Sequence, residues 1–289
     1  MSGAAGVDPG FWSGRRVFLT GHTGFKGAWL TLWLSRMGAR VQGYALAPER
    51  PHDLFEAAEI AGLCQSTIAD IRDRGDLAQA MRGFRPQVVL HLAAQPLVRR
   101  SYAEPVETFD VNVMGTAYLL EACRDLPGLE AVVVVTTDKV YANPETGDAF
   151  AEDDPLGGSE PYGLSKAAAE LAVEAWRRAF FAAGPSLATA RAGNVIGGGD
   201  WSDDRLIPDA MRAFTTGETL IVRNPDAVRP WQHVIEPLSG YLMLAQRLSD
   251  EGAAWARAWN FGPAAEQFYR VGEVVERAAR AWGDGADWR

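Results

Sequence analysis

Short apolar runs rich in β-branched residues alternate along this chain with longer segments in which apolar residues recur every three or four positions. The short runs predict strands at 16–20, 40–46, 65–70, 87–94, 131–137 and 186–197. The longer segments predict helices at 25–38, 76–84, 106–126 and 162–181. Strands separated by helices are typical of a parallel sheet with helices on both faces. The pattern therefore predicts an α/β protein with a doubly wound parallel sheet that is complete by about Ile196.

The predicted elements after this sheet are shorter and more irregular, as expected for a smaller lobe that closes over a substrate. We therefore assign 11–196 to a nucleotide-binding domain and 197–289 to a C-terminal substrate-binding lobe, with a possible strand return to the main sheet near 231–250. The last elements, AWNFGP and VGEVVERAARAWG, predict a strand and a helix of this lobe.

The composition narrows the class of protein. The 289 residues allow one or two domains with a large core. With 28 basic against 37 acidic side chains, the formal net charge of −9 argues against nucleic acid as a partner. Cys64 and Cys123 are too few for a zinc cluster or a disulfide scaffold, so we expect no metal site and a reducing compartment. The chain lacks the apolar stretch of a secretory signal and any run that could cross a membrane, which predicts a cytoplasmic protein without a membrane partner.

A glycine-rich turn, LTGHTGFKGAWL, joins the first predicted strand to the first predicted helix. Gly21, Gly24 and Gly27 permit a tight turn and a close backbone approach, so that a pyrophosphate can bind the amides at the helix start. An ordinary strand-helix turn could look similar, but the βα units that follow favour a dinucleotide site and a Rossmann-type sheet. The acidic residue that usually binds an adenosine ribose is not obvious after the second strand, and Arg50 lies nearby, so the residues alone leave NAD and NADP open.

The segment YGLSK places Tyr162 and Lys166 four residues apart at the start of a long predicted helix, so both side chains share one face. A free phenol, with a pKa of about 10, is a weak base at neutral pH, and a nearby ammonium stabilises its phenolate. An isolated pair of this kind would fit an ordinary helix start. After a dinucleotide-type turn, it predicts removal of a proton from a substrate hydroxyl during hydride transfer.

Another polar group interrupts AVVVVTTDKVYANP, where a buried strand ends in Thr137, Asp138 and Lys139. A strand that leaves the core often ends in polar residues because it meets water there. An acid beside a base at the carboxyl end of a strand is also where a parallel sheet places catalytic groups. The two interpretations stay open on this segment alone.

The glycine spacing together with Tyr162 and Lys166 resembles the extended short-chain dehydrogenase/reductase family. Several segments resemble the branch of that family whose members dehydrate CDP-linked glucose: TGHTGFKG, HLAAQPLVRRSY, TTDKVYANP, GNVIGGGDW, DRLIPD and RPWQHVIEPLSGYL. The resemblance runs from about Phe11 to Trp282. Members of this branch continue beyond the position of Arg289, so we expect a truncated substrate lobe and better retention of cofactor binding than of sugar-nucleotide binding.

The resemblance implies an NAD-dependent 4,6-dehydration of a sugar nucleotide, CDP-glucose or a related one, in a homodimer paired through the helices that begin near Glu104 and Pro161. Tyr162, supported by Lys166, would take the proton of the 4-hydroxyl. Asp138 would protonate the departing 6-hydroxyl. Lys139 would be the candidate base or an orienting cation, and Thr137 would hydrogen-bond the 4-oxygen.

The resemblance also implies two sets of binding residues. The cofactor set comprises Gly21, Gly24, Phe25, Lys26, Gly27, Asp70, Ile71, Leu92, Ala93, Ala94, Tyr162 and Lys166. The substrate set comprises Gln95, Asn112, Thr137, Asn194, Trp201, Arg205 and Arg229. The two arginines can bind a diphosphate through paired hydrogen bonds, although a surface ion pair would explain each equally well.

Two alternative functions remain at this point. The chain could act on another NDP-hexose as a dehydratase or an epimerase, or it could be a cofactor-sensing protein without activity. The joint presence of Thr137, Asp138, Tyr162 and Lys166 favours an enzyme.

Overall fold

The computed structural model describes residues 6–144, 146–264 and 267–289. The strands are β1 Arg16–Thr20, β2 Arg40–Ala45, β3 Gln65–Ile68, β4 Val88–His91, β5 Ala131–Val135, β6 Ser186–Ala192, β7 Val195–Ile196, β8 Thr219–Leu220, β9 Val228–Pro230, β10 Gln232–His233, β11 Ala258–Phe261, β12 Phe268–Arg270 and β13 Asp287–Trp288. The α-helices are α1 Pro9–Trp12, α2 Phe25–Arg36, α3 Leu54–Ala57, α4 Arg74–Phe84, α5 Val98–Ala103, α6 Pro105–Phe109, α7 Gly115–Cys123, α8 Pro161–Ala179, α9 Leu206–Thr216, α10 Ile235–Glu251 and α11 Val271–Trp282.

Within these ranges, seven strands form one parallel sheet in the order β11-β6-β5-β4-β1-β2-β3. The central strands are apolar because helices cover both faces; all five residues of β5 are buried. The chain runs from β1 outward to β3 and then returns to β4 on the other side of β1. Ligands of such sheets bind beyond the carboxyl ends of the strands at this change of direction.

A hydrophobic cluster lies on each face of the sheet. On one face α2 and α10 pack through residues such as Leu30 and Leu242. On the other face α4, α7 and α8 pack through residues such as Leu77, Leu119 and Val173. A separate small cluster joins α9 and α11 in the C-terminal part of the chain.

The last strand of the sheet differs from the sequence-based prediction. The sheet is not complete at Ile196, because β11 adds beside β6 in parallel register. The proposed return near 231–250 is wrong: β10 pairs with β7 in a separate two-stranded sheet, and most of that range is the helix α10. Leu238, Tyr241, Leu242 and Ala245 are buried on one side of α10, as a helical repeat requires. The segment AWNF therefore belongs to the main sheet and not to the lobe.

Candidate active site

The glycine-rich turn brings the ends of β1 and β4 into contact. Gly21 has a φ of +78°, and a Cβ there would lie 2.8 Å from the backbone nitrogen of Ala93. A Cβ on Gly27 would lie 2.0 Å from the carbonyl oxygen of Gly21. Both positions therefore require glycine, because any side chain would separate the helix start from the strand ends.

This contact presents the start of α2 at the change of direction in the sheet. The helix begins at Phe25, and its N-cap residue is Gly24, which has no side chain that could bind the first amides. The first amides of a helix have no intrahelical acceptor and lie at the positive end of its dipole. These residues therefore fit the pyrophosphate of a dinucleotide, as the glycine spacing predicted.

A buried polar chain fixes the backbone that follows β4. The hydroxyl oxygen of Thr20 accepts hydrogen bonds from the amides of Leu92 and Ala93, both at 3.1 Å. Its proton is then free to bond Nδ1 of His91, 2.7 Å away. Burial lowers the pKa of His91 to about 3, so the ring is neutral and structural. Leu92, Ala93 and Ala94 are half-buried along this edge.

Asp70 and Ile71 follow β3. The Asp70 carboxylate binds Arg72 through Nε and Nη2, which lowers the pKa of that acid. Ile71 is buried against Gly115. The predicted contact of both residues with the cofactor stays a prediction.

Two contacts fix Tyr162 and Lys166 at the start of α8: the N-cap residue Glu160 binds the first helical amides, and Lys166 binds the sheet. The Glu160 carboxylate accepts the amides of Tyr162 at 2.7 Å and Gly163 at 3.0 Å, which caps the helix. The Lys166 ammonium donates to the carbonyl oxygen of Val135, 3.1 Å away, at the end of β5. Both functional side chains are buried.

The electrostatic setting of this pair involves a further cation. Burial raises the pKa of Tyr162 to about 12, while the Arg205 guanidinium and a hydrogen bond with Thr137 act in the opposite direction. Burial lowers the pKa of Lys166 to about 8, and Glu170 opposes that change. Arg205, which the sequence placed in the substrate set, is thus close enough to favour the phenolate.

The turn after β5 brings Asp138 near Tyr162 and Lys26, because its carboxylate raises the pKa of both side chains. We call the space beside these three side chains the chamber. The Thr137 hydroxyl donates to Oδ1 of Asp138 at 3.0 Å and accepts the amide of Lys139 at 3.3 Å. A Cβ on Gly193 would lie 2.8 Å from Oδ2 of Asp138, so glycine is needed there for the carboxylate to fit. Asp138 is half-buried, whereas Lys139 is exposed. The role of Lys139 as a base stays a prediction.

Lys26 reaches this chamber from the glycine-rich turn. Its ammonium lies 3.4 Å from the hydroxyl of Tyr241, which is fully buried on α10. Burial, Arg205 and Lys166 lower the pKa of Lys26 to about 8, while Asp138 opposes the change. The sequence analysis did not single out Tyr241, although the residue lies in PLSGYL and its helical spacing placed it on the core face.

Gln95 and Asn112 form a buried hydrogen-bonded pair that also contacts α8. A π-helical turn at Asp110–Met114 separates α6 from α7 and replaces part of the single helix predicted at 106–126. Oδ1 of Asn112 accepts a hydrogen bond from the backbone amide of Gln95 at 2.8 Å. Its Nδ2 donates to the backbone carbonyl of Gln95 and to Oγ of Ser165. Both side chains are buried and engaged with protein groups, so direct contact with a substrate stays a prediction for them.

The remaining predicted substrate residues lie on irregular segments. The carbonyl of Asn194 accepts the amide of Gln232 at 3.1 Å. Arg229 is exposed on β9. Nε of Arg205 is buried without a hydrogen-bond partner among the described residues, which leaves a donor available. The ring of Trp201 meets the edge of His52, 5.2 Å between centroids.

The loop that carries Trp201 also engages the loop after β2. Nη2 of Arg50 lies 2.5 Å from Oδ2 of Asp203. This ion pair connects the loop after β2 to the loop that carries Trp201.

Comparison with known proteins now adds to this geometry. Residues 17–262 match the model of the NAD dependent epimerase/dehydratase family. The chain belongs to this family. The membership confirms the predicted family, the NAD cofactor and, together with the parallel sheet, the predicted fold class.

Two of the similar proteins are named as sugar-nucleotide dehydratases, and a third was solved with a sugar nucleotide. The chain is 50% identical to the CDP-glucose 4,6-dehydratase of Salmonella typhimurium over 98% of this chain and 80% of the relative. The dTDP-glucose 4,6-dehydratase of Streptomyces venezuelae, solved with NAD bound, superimposes with a TM-score of 0.79 at 26% identity, covering 95% and 83% of the two chains. MoeE5, solved with UDP-glucose and NAD, superimposes with a TM-score of 0.78 at 28% identity, covering 95% of this chain and 85% of MoeE5. None of the helices in the described ranges has the length and hydrophobicity needed to span a membrane.

Proposed function

We propose that this protein is a dehydratase that converts CDP-glucose to CDP-4-keto-6-deoxyglucose. The observation that carries the proposal is that Asp138, held by Thr137, and Tyr162, on α8, face one chamber at the carboxyl edge of the sheet. A base alone would serve an epimerase, whereas dehydration also needs an acid for the leaving hydroxyl. The 50% identity with a CDP-glucose 4,6-dehydratase supports the CDP-linked substrate.

The first step is proton removal from the 4-hydroxyl. Bound NAD supplies the hydride acceptor at carbon 4 and the hydride donor at carbon 6. Tyr162 takes the hydroxyl proton, and Thr137, which lies near the phenol, is our candidate for a hydrogen bond to the 4-oxygen once its proton turns away from Asp138. Because burial makes the phenol a weaker acid, the phenolate depends on nearby cations. Arg205 provides positive charge near it, and Lys166, four residues later on the same face of α8, is our candidate for a second cation.

The second step is loss of water from carbons 5 and 6. A ketone at carbon 4 acidifies the hydrogen on carbon 5, and the departing 6-hydroxyl needs a proton because hydroxide is a poor leaving group. Asp138 is the proton donor in this proposal. Lys139, next to it on the same turn, is our candidate for the base, which would take the proton from carbon 5 and return it there when hydride reaches carbon 6, or for a cation that stabilises the enolate.

We further propose a homodimer and a cytoplasmic location. Apolar side chains are exposed on α5, α6 and α8, including Tyr102, Val106 and Leu171 at 64%, 81% and 62%. Burying them in a contact between two copies of these helices would remove this surface from water. The two free cysteines of the described chain, Cys64 and Cys123, fit a reducing compartment.

A substrate panel tests the proposed reaction. Purified protein with NAD is incubated with CDP-, dTDP-, UDP- and GDP-linked hexoses, and the alkaline absorbance of a 4-keto product is followed. We expect the fastest product formation from CDP-glucose. Faster turnover of another nucleotide would contradict the substrate assignment, and a 4-epimer as the product would contradict the reaction type.

A further inference from the structure

A buried ion pair joins α8 to β6 behind the chamber. The side chains of Glu170 and Arg191 are 3% and 5% exposed, and Oε2 of Glu170 lies 2.9 Å from Nη2 of Arg191. The carboxylate also accepts the hydroxyls of Thr136 at 2.5 Å and Thr189 at 2.7 Å. Buried pairs seldom add net stability compared with apolar packing, because both charges lose their hydration. Stability alone therefore does not explain this pair.

The pair contacts both ends of the turn that carries Thr137 and Asp138. Thr136, bound by Glu170, directly precedes this turn. Nη1 of Arg191 donates to the hydroxyl of Tyr141 at 2.7 Å, and Tyr141 follows the turn. The turn is therefore fixed at its beginning by the carboxylate and at its end by the guanidinium.

The same pair is connected to the base and to the last strand of the sheet. Glu170 lies four and eight residues after Lys166 and Tyr162, so the three side chains share one face of α8. The Tyr141 hydroxyl donates to Oδ1 of Asn260 on β11 at 2.6 Å. One hydrogen-bonded network thus links the helix of the base, the turn of the acid and the strand β11.

We propose that Glu170 and Arg191 are positioning residues, which set the placement of Asp138 relative to Tyr162 for the reaction. The inference rests on the proposed dehydration, since that reaction needs both groups on one sugar. The pair reaches the acid and the base through Thr136, Tyr141 and α8, and Glu170 also raises the pKa of Lys166. Displacement of a catalytic group by an ångström can lower a rate by about 10²-fold, so a modest shift of the turn would be visible in kcat.

Two threonines provide a matched test. Thr136 and Thr189 are both buried and both donate to Glu170, but only Thr136 adjoins the turn. We expect Thr136→Val to lower kcat by about tenfold with little change in the KM for CDP-glucose. Thr136→Ser retains the hydroxyl and should restore kcat. Thr189→Val should leave kcat within about twofold of wild type, although it removes the same kind of hydrogen bond.

Hydrogen exchange of the peptide spanning 136–141 gives a readout that does not depend on activity. Thr136→Val should accelerate exchange there, and Thr189→Val should not. If Thr136→Val fails to fold, Tyr141→Phe replaces it, because this change removes the hydroxyl that holds the other end of the turn.

The outcomes separate the two proposals. Equal losses of kcat in the two valine variants, or unchanged kcat and exchange in Thr136→Val, would overturn the positioning role. Wild-type protein that does not dehydrate CDP-glucose would instead contradict the proposed function, and the exchange comparison would then still show whether Glu170 and Arg191 fix the turn.

Discussion

The edge of the main sheet and the second lobe contribute to the chamber in different ways. At the sheet edge, Thr137 and Lys166 are buried, and their polar groups are bonded to neighbouring protein atoms. In the lobe, Arg229 is exposed and Arg205 keeps a buried donor without a partner in the described ranges. The comparison indicates that the sheet edge holds the catalytic groups in place before a ligand binds, whereas the lobe leaves cationic donors available for a ligand. Changes at the edge should therefore affect kcat, and changes in the lobe should affect binding.

The largest effect is expected from Tyr162→Phe. The change removes only the hydroxyl from a buried ring, so we expect turnover to fall by about 10³-fold while NAD binding stays near wild type. Steady-state kinetics and calorimetric titration with NAD measure the two quantities. Activity close to wild type would refute Tyr162 as the base.

A smaller loss, about 10²-fold, is expected from Asp138→Asn. The amide retains the shape of the carboxylate but cannot supply the proton for the leaving hydroxyl. Oxidation at carbon 4 should continue, so the absorbance of reduced nicotinamide should rise and persist after CDP-glucose is added. Normal dehydration, or no reduction at all, would show that Asp138 is not the acid.

Arg205 is an exception to this division, because it belongs to the lobe but acts on Tyr162 at the sheet edge, so its replacement should shift the pH dependence of kcat. Arg205 lowers the pKa of Tyr162. In Arg205→Met the phenol should titrate at higher pH, which moves the acidic limb of the kcat profile upward. At neutral pH this predicts a loss of about tenfold, the effect of roughly one pKa unit. An unchanged profile would confine Arg205 to substrate binding.

Arg229→Met should give the smallest effect. An exposed ionic contact contributes up to about 1 kcal/mol, which corresponds to an increase of about fivefold in KM for CDP-glucose. We expect kcat and NAD affinity to stay near wild type. A large loss of kcat would contradict the division between the sheet edge and the lobe.

The sequence predicted well what depends on local patterns. Apolar runs located the first six strands of the sheet, and the glycine spacing located the turn where Gly21 approaches Ala93. The i, i+4 spacing placed Tyr162 and Lys166 on one buried face of α8.

Features that depend on long-range packing could not be predicted in this way. β11 is a short run of four residues, and its place beside β6 depends on the path of α10 across the sheet. Lys26 and Tyr241 are 215 residues apart, and no local pattern indicates their contact. The ion pair of Glu170 and Arg191 likewise joins the helix α8 to the strand β6, which pairs with β5, and no local pattern indicates this contact.

Isotope transfer tests the central claim most directly. CDP-glucose that carries deuterium at carbon 4 is incubated with the protein and NAD, and the product is examined by NMR and mass spectrometry. We predict loss of one water and appearance of the deuterium at carbon 6, because the hydride removed at carbon 4 returns there. Deuterium that stays at carbon 4 in an epimerised sugar, or that is lost to solvent, would contradict the account.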